Sequence, residues 1–462
     1  MAEQLLAGAA MVDITPAMGI QIAGDIGRYR PVEEIREPLY ARALALESAG
    51  RRCCILSLDI AFVMPRYIEQ LRRHAAQHLG IEPEALMVHS VQNHASPSIG
   101  HLLVSAEYEL PDELWFIRGG DDRYTPAAVA GIMAAMEQAC ASLRPVDAQA
   151  GRGVDGRVAF NRRFIMRDGT AVTHPGHCNP DVLYCEGPVD PEVGVMTFTM
   201  ADGRPLAALL HHTCHPVHGY PMRWISGGWP GAWARGVQEL GGAQCVPLVI
   251  NGACGNIHHQ NHLDPTYRDD YPCMGAKLTE TTAKILECME AVDGSALDWQ
   301  SHKIRIPLRE LDPVEMAAAE KLLSEHPEPI WLDDARTAIQ WDWVYAHSRM
   351  DLQRQRTRQP YHDYEIQVIR IGETARVGWD GEPFVEAQLD VKLASAGRKL
   401  FFAHMCNGCV GYIPTAAAFK RGGYETRTGN WSKLAPEALE MISAATTEVL
   451  NNLFCATRHS RM

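Results

Sequence analysis

The stretch Val246-Pro-Leu-Val-Ile-Asn-Gly-Ala-Cys-Gly-Asn-Ile-His-His-Gln-Asn261 decides how this chain is read. Its first six residues form an apolar run without alternation, as in a strand buried on both faces. A turn of small residues follows, which lets the backbone approach a ligand closely, and it presents His258 and His259. A buried strand that opens into a polar, small-residue turn is the unit of an α/β sheet.

Working outward, the same unit recurs. Apolar runs at 53–59, 86–91, 206–212, 375–379 and 400–404 read as further strands. Helical patterns fit 65–79, 125–143, 229–240, 274–289, 313–323 and 436–453. The helix at 125–143 has the clearest start, Thr125 as cap with Pro126 at the first position. The expectation is an α/β fold of mixed sheets layered with helices, one large domain over 1–462. The one compositional shift, rich in Glu, Arg, Gln and Trp at about 311–362, reads as a helical insertion or lid.

Composition excludes several function classes. Hydrophobic residues make up 46% and charged residues 21%, which is ordinary globular usage. A formal net charge of −13, with no basic run, argues against nucleic-acid and anionic-membrane partners. The N-terminus shows no basic leader, and no stretch of about 18 uninterrupted apolar residues occurs. The expected location is cytoplasmic, and the expected partner a small-molecule substrate, with a homo-oligomer possible. Thirteen scattered cysteines suit reduced thiols. Cys406 and Cys409 have zinc-ribbon spacing but lack a second pair.

The twenty histidines cluster just after the strand candidates, where loops of α/β sheets converge on ligands. Val88-His-Ser-Val-Gln-Asn-His-Ala-Ser-Pro97 places Gln92 and His94 at alternating positions, so an extended backbone would face them the same way. Leu210-His-His-Thr-Cys-His-Pro-Val-His218 packs four histidines into one strand end. Gly378-Trp-Asp-Gly-Glu-Pro-Phe384 and Asn407-Gly-Cys-Val-Gly-Tyr-Ile-Pro414 place Glu382 and Tyr412 just past strands. His94, His215, Glu382 and Tyr412 would supply the N and O donors of a zinc site with an open position. Spacing alone does not establish that they converge.

The same segments, with Ala7-Gly-Ala-Ala-Met-Val-Asp13-Ile-Thr-Pro16, Pro38-Leu-Tyr-Ala-Arg42, Asn161-Arg162-Arg163, Asp190-Pro-Glu-Val193 and Gly422-Gly-Tyr-Glu425, resemble the catalytic domain of the neutral, non-lysosomal ceramidase family. The resemblance implies an amidohydrolase whose zinc is held by two histidines, a glutamate and a tyrosine. Glu382, Tyr412 and His215 fall on three of those ligands. The first histidine ligand falls on Gln92, while His94 matches a neighbouring histidine and Arg162 an arginine that holds the substrate carbonyl or oxyanion. His258 stands where the family has a serine, and Gly228 where it has an acidic residue.

These departures, together with the lack of the family's C-terminal β-domain and secretion signal, point away from ceramide. They favour a small polar substrate in a pocket near Trp224, Trp229 and Trp233. The expected mechanism is attack of metal-activated water on an amide or ester. His94 would replace Gln92 as ligand beside His215, Glu382 and Tyr412. His258 or His259 would act as general base near the ordinary imidazole pKa of about 6.5 or as an additional ligand, and Arg162 would stabilise the oxyanion. A metal-assisted lyase or isomerase acting on a sugar-like or hydroxy-acid substrate, and an inactive metal-binding homologue, are the alternatives.

Overall fold

The computed structural model describes residues 4–268, 270–395 and 398–459, with side chains to 455. The strand Val246–Asn251 is buried at every position and runs parallel to Pro205–His212, with Leu209 opposite Leu248 and His212 opposite Asn251. From this pair a sheet continues through Glu192–Met200, Arg144–Val154, Leu6–Asp13, Tyr40–Ser48 and Arg51–Leu58 to Leu86–Ser90, with Glu290–Val292 alongside Arg144–Val154. Between Leu6–Asp13 and Arg144–Val154 only two residue pairs hold it together, Leu6 with Pro145 and Ala7 with Arg144.

At this weak seam the sheet folds into two leaves that pack face to face. Ser57 Oγ donates to Val249 O at 2.7 Å across the interface. Leu44, Leu46 and Ile55 of one leaf share a core with Leu209, Leu248 and Ile250 of the other. Helix Thr125–Ala141 covers the outer face of the first leaf, and helices Gly228–Gly241 and Tyr271–Leu286 cover the second. The α/β class and mixed sheets agree with expectation. The arrangement differs from an open sheet with helices on both faces, because here each leaf has helices on one face only and apolar strand on the other.

A four-stranded sheet, Leu297–Pro307, Tyr361–Ile371, Thr374–Trp379 and Lys399–Ala403, is backed by helix Ala438–His459. It abuts the sandwich where His404 N donates to Asn251 O at 3.0 Å. Two helices, Pro313–Glu325 and Trp341–Arg358, pack on each other between the first two of these strands, which pair antiparallel over their whole length. Residues 308–360 thus run out from one strand, through these two helices, and back into its neighbour.

Six of the long strands escape periodicity reading: Leu6–Asp13, Tyr40–Ser48, Arg144–Val154, Glu192–Met200, Leu297–Pro307 and Tyr361–Ile371. They carry small or polar residues on one face, so no unbroken apolar run marks them. Thr125 is not the cap of its helix. Tyr124 takes that position and no side chain bonds the free amides there. No disulfide joins the cysteines among the described residues. No described helix is long and apolar enough to cross a membrane.

Candidate active site

Three parallel strand pairs aim their C-terminal ends at one place. They are Arg51–Leu58 with Leu86–Ser90, Pro205–His212 with Val246–Asn251, and Thr374–Trp379 with Lys399–Ala403. One asparagine ties the loops together. Asn251 Nδ2 donates to Val91 O and Cys214 O, both at 3.0 Å, and its Oδ1 accepts from Cys214 N at 3.1 Å. Its backbone N–H is taken by His89 Nε2 at 3.0 Å. The chain beyond Val91 then reaches Gln92, whose φ of +65° puts a non-glycine residue in the left-handed region. Such strain, of order 1–3 kcal/mol, is kept where surrounding bonds over-determine it, and functional sites are where it clusters.

These loops enclose a cavity of about 490 Å³, within the size range of small-ligand sites. His94, Arg162, His215, His258, Glu382 and Tyr412 all line it, as does Gln92. The residues read from widely separated segments therefore share one cavity. His259 is the exception. It lies behind His258, stacked on His218 with ring centroids 3.5 Å apart, and does not line the cavity. Trp224, Trp229 and Trp233 do not line it either, the last two being part of the core behind the second leaf. The cavity's tryptophans are Trp341, from the helical excursion, and Trp431.

On the floor His94 Nδ1 bonds Gly24 O at 2.9 Å and His215 Nδ1 bonds Cys254 O at 3.3 Å. A carbonyl only accepts, so both rings carry their proton on Nδ1 and present a bare Nε2. Those two Nε2 atoms face each other at 3.1 Å. Gly24 permits the approach, since a Cβ there would meet His94 Nδ1 at 2.4 Å. Two lone pairs at this distance repel unless a proton or cation lies between them. Burial, reinforced by Arg30, holds His94 down to about 3, and burial with Arg162 holds His215 well below the imidazole range, so neither ring supplies that proton at neutral pH.

Glu382 stands opposite. Its Oε2 lies 3.8 Å from His215 Nε2 and has no hydrogen-bond partner in the protein, although it is buried. Burial pushes its carboxyl up to about 7, against hydrogen bonds from Gln92 and Tyr412 and the charge of Arg162. Glu382 and Tyr412 are paired residues of the short parallel bridge Glu382–Pro383 with Tyr412–Ile413. Gly255 packs on that bridge, and a Cβ there would meet Glu382 O at 2.4 Å.

Among the described residues no three His, Cys, Asp or Glu groups already close into an ion cage. The donor set nevertheless has the chemistry of one: two imidazole nitrogens bare on one side and braced by carbonyls on the other, as ligating histidines are, and a buried carboxylate oxygen without a partner.

Arg162 forms the adjoining wall. Nε donates to Glu425 Oε1 at 2.9 Å and Nη2 to Gly255 O at 2.7 Å, which orients the guanidinium against the Tyr412 ring, 5.4 Å from its centroid. Burial works against its charge, but Tyr412 and Glu425 outweigh it, so the group is held charged. Glu425, quoted in a motif above without a role, also accepts from Arg163 Nη1 at 2.7 Å and Thr173 Oγ1 at 2.8 Å.

His258 corrects an expectation. Its Nδ1 accepts from the backbone N–H of Gln260 at 3.0 Å, which places its proton on Nε2. Burial, with His259 and His174 next, holds it well below the ordinary imidazole range. It is therefore a neutral donor, not a base poised near 6.5. His174, which sequence reasoning passed over, joins the cavity beside it, with ring centroids 4.4 Å apart, and bonds His262 Nε2 through Nδ1 at 3.0 Å. Its signal was weak: a lone histidine in a turn at φ +56°.

No family model matches the chain. It is 27% identical over 190 residues to a neutral ceramidase of Pseudomonas aeruginosa, a stretch that spans 40% of this chain and a quarter of that relative's length (25%). In structure it is similar to the crystal structure of neutral ceramidase from Pseudomonas aeruginosa, with TM-score 0.71 and 20% identity over 97% of this chain and 74% of that one. A ceramidase complexed with C2 gives TM-score 0.70 at 18% identity, over 97% and 75%. The chain has a divergent neutral-ceramidase-like fold.

Proposed function

We propose that this neutral-ceramidase-like protein is a metal-dependent hydrolase that cleaves an amide or ester bond of a small substrate with metal-activated water. One observation carries the reading: two bare imidazole nitrogens 3.1 Å apart beside a buried, partnerless carboxylate oxygen. His94, His215 and Glu382, with Tyr412, would hold the ion, and Zn²⁺ suits N and O donors of this kind. A bound zinc would polarise the scissile carbonyl and lower the pKa of water to about 7.

The chain's own groups account for the rest. Arg162, fixed by Glu425 and Gly255, offers its remaining N–H groups to the oxygen that gains charge in the transition state, a contribution of about 2.7–4 kcal/mol for a single donor in comparable sites. His258, neutral with its hydrogen on Nε2, is suited to hold the departing nitrogen or oxygen by a hydrogen bond, while the proton that the leaving group takes up would come from the attacking water. Tyr412 is held against Glu382 and fixes the carboxylate's direction. The neutral-ceramidase likeness supports hydrolysis of an amide first, with esters next. The cavity suits a substrate of modest size, and its wall of Ile26, Phe62, Leu102, Leu103 and Trp431 suits one that is partly apolar.

Elemental analysis of protein purified without chelator, as wild type and His215→Ala, tests the reading together with a panel of small amides and esters in ¹⁸O-labelled water. Stoichiometric zinc lost in the variant, with label entering the product, is the expected result. A metal-free wild type, or turnover without label, overturns it.

A further inference from the structure

The cavity holds a second carboxylate, Asp25, which the proposed chemistry does not use. It follows Gly24, whose carbonyl braces His94, so it stands one residue from the floor. Asp25 lines the cavity, yet its side chain is only 1% exposed. Oδ1 accepts from Ile26 N at 2.8 Å and from the Tyr220 hydroxyl at 3.5 Å. Oδ2 has no hydrogen-bond partner in the protein.

Two arginines are near, and neither satisfies that oxygen. Arg28 Nε stands 3.4 Å from Oδ2 but is off the line of donation, and it too lacks a hydrogen bond. Arg30 donates to the carbonyls of Ala23, His94, Gly219 and Met222 instead. Burial raises the Asp25 pKa against the pull of both arginines. A buried acceptor left without a hydrogen bond is costly, and this one sits at the edge of the apolar wall. Its neighbour Ile26 packs with Leu103 and Trp431, while Phe62 belongs to the adjoining cluster.

We infer that Asp25 is a specificity residue, whose carboxylate oxygen Oδ2, ion-paired with Arg28 but without a hydrogen bond, takes a hydrogen-bond donor, hydroxyl or ammonium, on a substrate with a compact apolar group against Ile26, Phe62, Leu103 and Trp431. The word substrate rests on the hydrolase reading; the binding does not. Three amides of one shape separate the two: phenylalaninamide, 2-hydroxy-3-phenylpropanamide and 2-methyl-3-phenylpropanamide, titrated calorimetrically into the full-length protein.

The amino or hydroxyl compound binds about tenfold or more tightly than the methyl compound, the size of a hydrogen bond to a charged group. If the ammonium is the partner, Asp25→Asn erases the preference. If the hydroxyl is, Asp25→Asn keeps part of it and Asp25→Leu erases it. Equal affinity for the three compounds in the wild type, or no binding of any, overturns the inference whether or not the variants fold. Release of ammonia from the same compounds reports hydrolysis separately, so a binding preference without ammonia counts against the hydrolase reading alone.

Discussion

Two groups of histidines leave one strand, and they are put to different use. His211 and His212, at the end of Pro205–His212, stay in the core. His211 stacks flat on Phe401 with centroids 5.6 Å apart, and His212 meets Trp229 edge-on and bonds Glu192 O through Nδ1 at 3.1 Å. His215, three residues on, turns into the cavity. All three are fully buried, and burial lowers the pKa of all three. Neither burial nor pKa separates a structural histidine from a ligand here. What separates them is the ring's neighbour, an aromatic ring for the first two, Phe401 for His211 and Trp229 for His212, and a second bare nitrogen and a carboxylate for His215.

The sharpest way to break this contrast is to remove one ring from each group. His215→Ala abolishes zinc uptake measured by elemental analysis, and hydrolysis with it. His211→Phe, which keeps the stack on Phe401, retains both. If the two variants lose zinc equally, the distinction drawn from the ring faces is wrong.

Next in size is the joint behind the floor. Asn251→Ala strands three buried backbone groups of the Val91 and Cys214 turns, at about 1–3 kcal/mol each. Urea unfolding should therefore show a loss of several kcal/mol, larger than that of His212→Ala.

A smaller effect is expected at Gln92, which supports Glu382 from outside the donor set. Gln92→Ala weakens zinc affinity about 10–100-fold, the usual cost of losing such a support, with little change in melting temperature of the metal-free protein. An unchanged affinity means that Gln92 does not orient the carboxylate.

The smallest is a pH effect at Glu425. Burial alone would raise its carboxyl, but Arg162 and Arg163 outweigh burial and hold it below the usual range. A depressed folded pKa gives stability that is present above the unfolded pKa of about 4.5 and is lost as pH falls through the folded value. Glu425→Gln should lower stability at neutral and alkaline pH, leave it nearly unchanged at the acid end, and so flatten the acid side of the profile. A variant whose acid limb matches the wild type contradicts the ion-pair assignment.

The legible part of the fold follows a rule. Strands buried on both faces, such as Val246–Asn251, appear as unbroken apolar runs, and amphipathic helices such as Tyr271–Leu286 show their period. Strands such as Arg144–Val154, with Asp147, Gln149, Gly151 and Gly153 on alternating positions, carry no such run and escape a reading by apolar runs. In the site, His94, His215, Glu382, Tyr412 and Arg162 were legible because each follows a strand or sits in a recognisable motif. Asp25, His174, Trp341 and Trp431 were not, because a carboxylate, imidazole or indole in a loop carries no local sign of the cavity it faces.

The sequence by itself determined the α/β class, the strand-end position of the histidine clusters and the donor types at hand, because burial and turn chemistry are local properties of a chain. Only the tertiary structure decided the folding of one sheet into two packed leaves, the convergence of three parallel pairs, and the tautomers of His94, His215 and His258. The packing of the leaves joins residues as far apart as Ser57 and Val249, and the His94 and His215 tautomers are set by the carbonyls of Gly24 and Cys254, which leave no mark in the residues beside those rings; the Gln260 amide that sets His258 is close in sequence, but only the folded turn aims it at the ring.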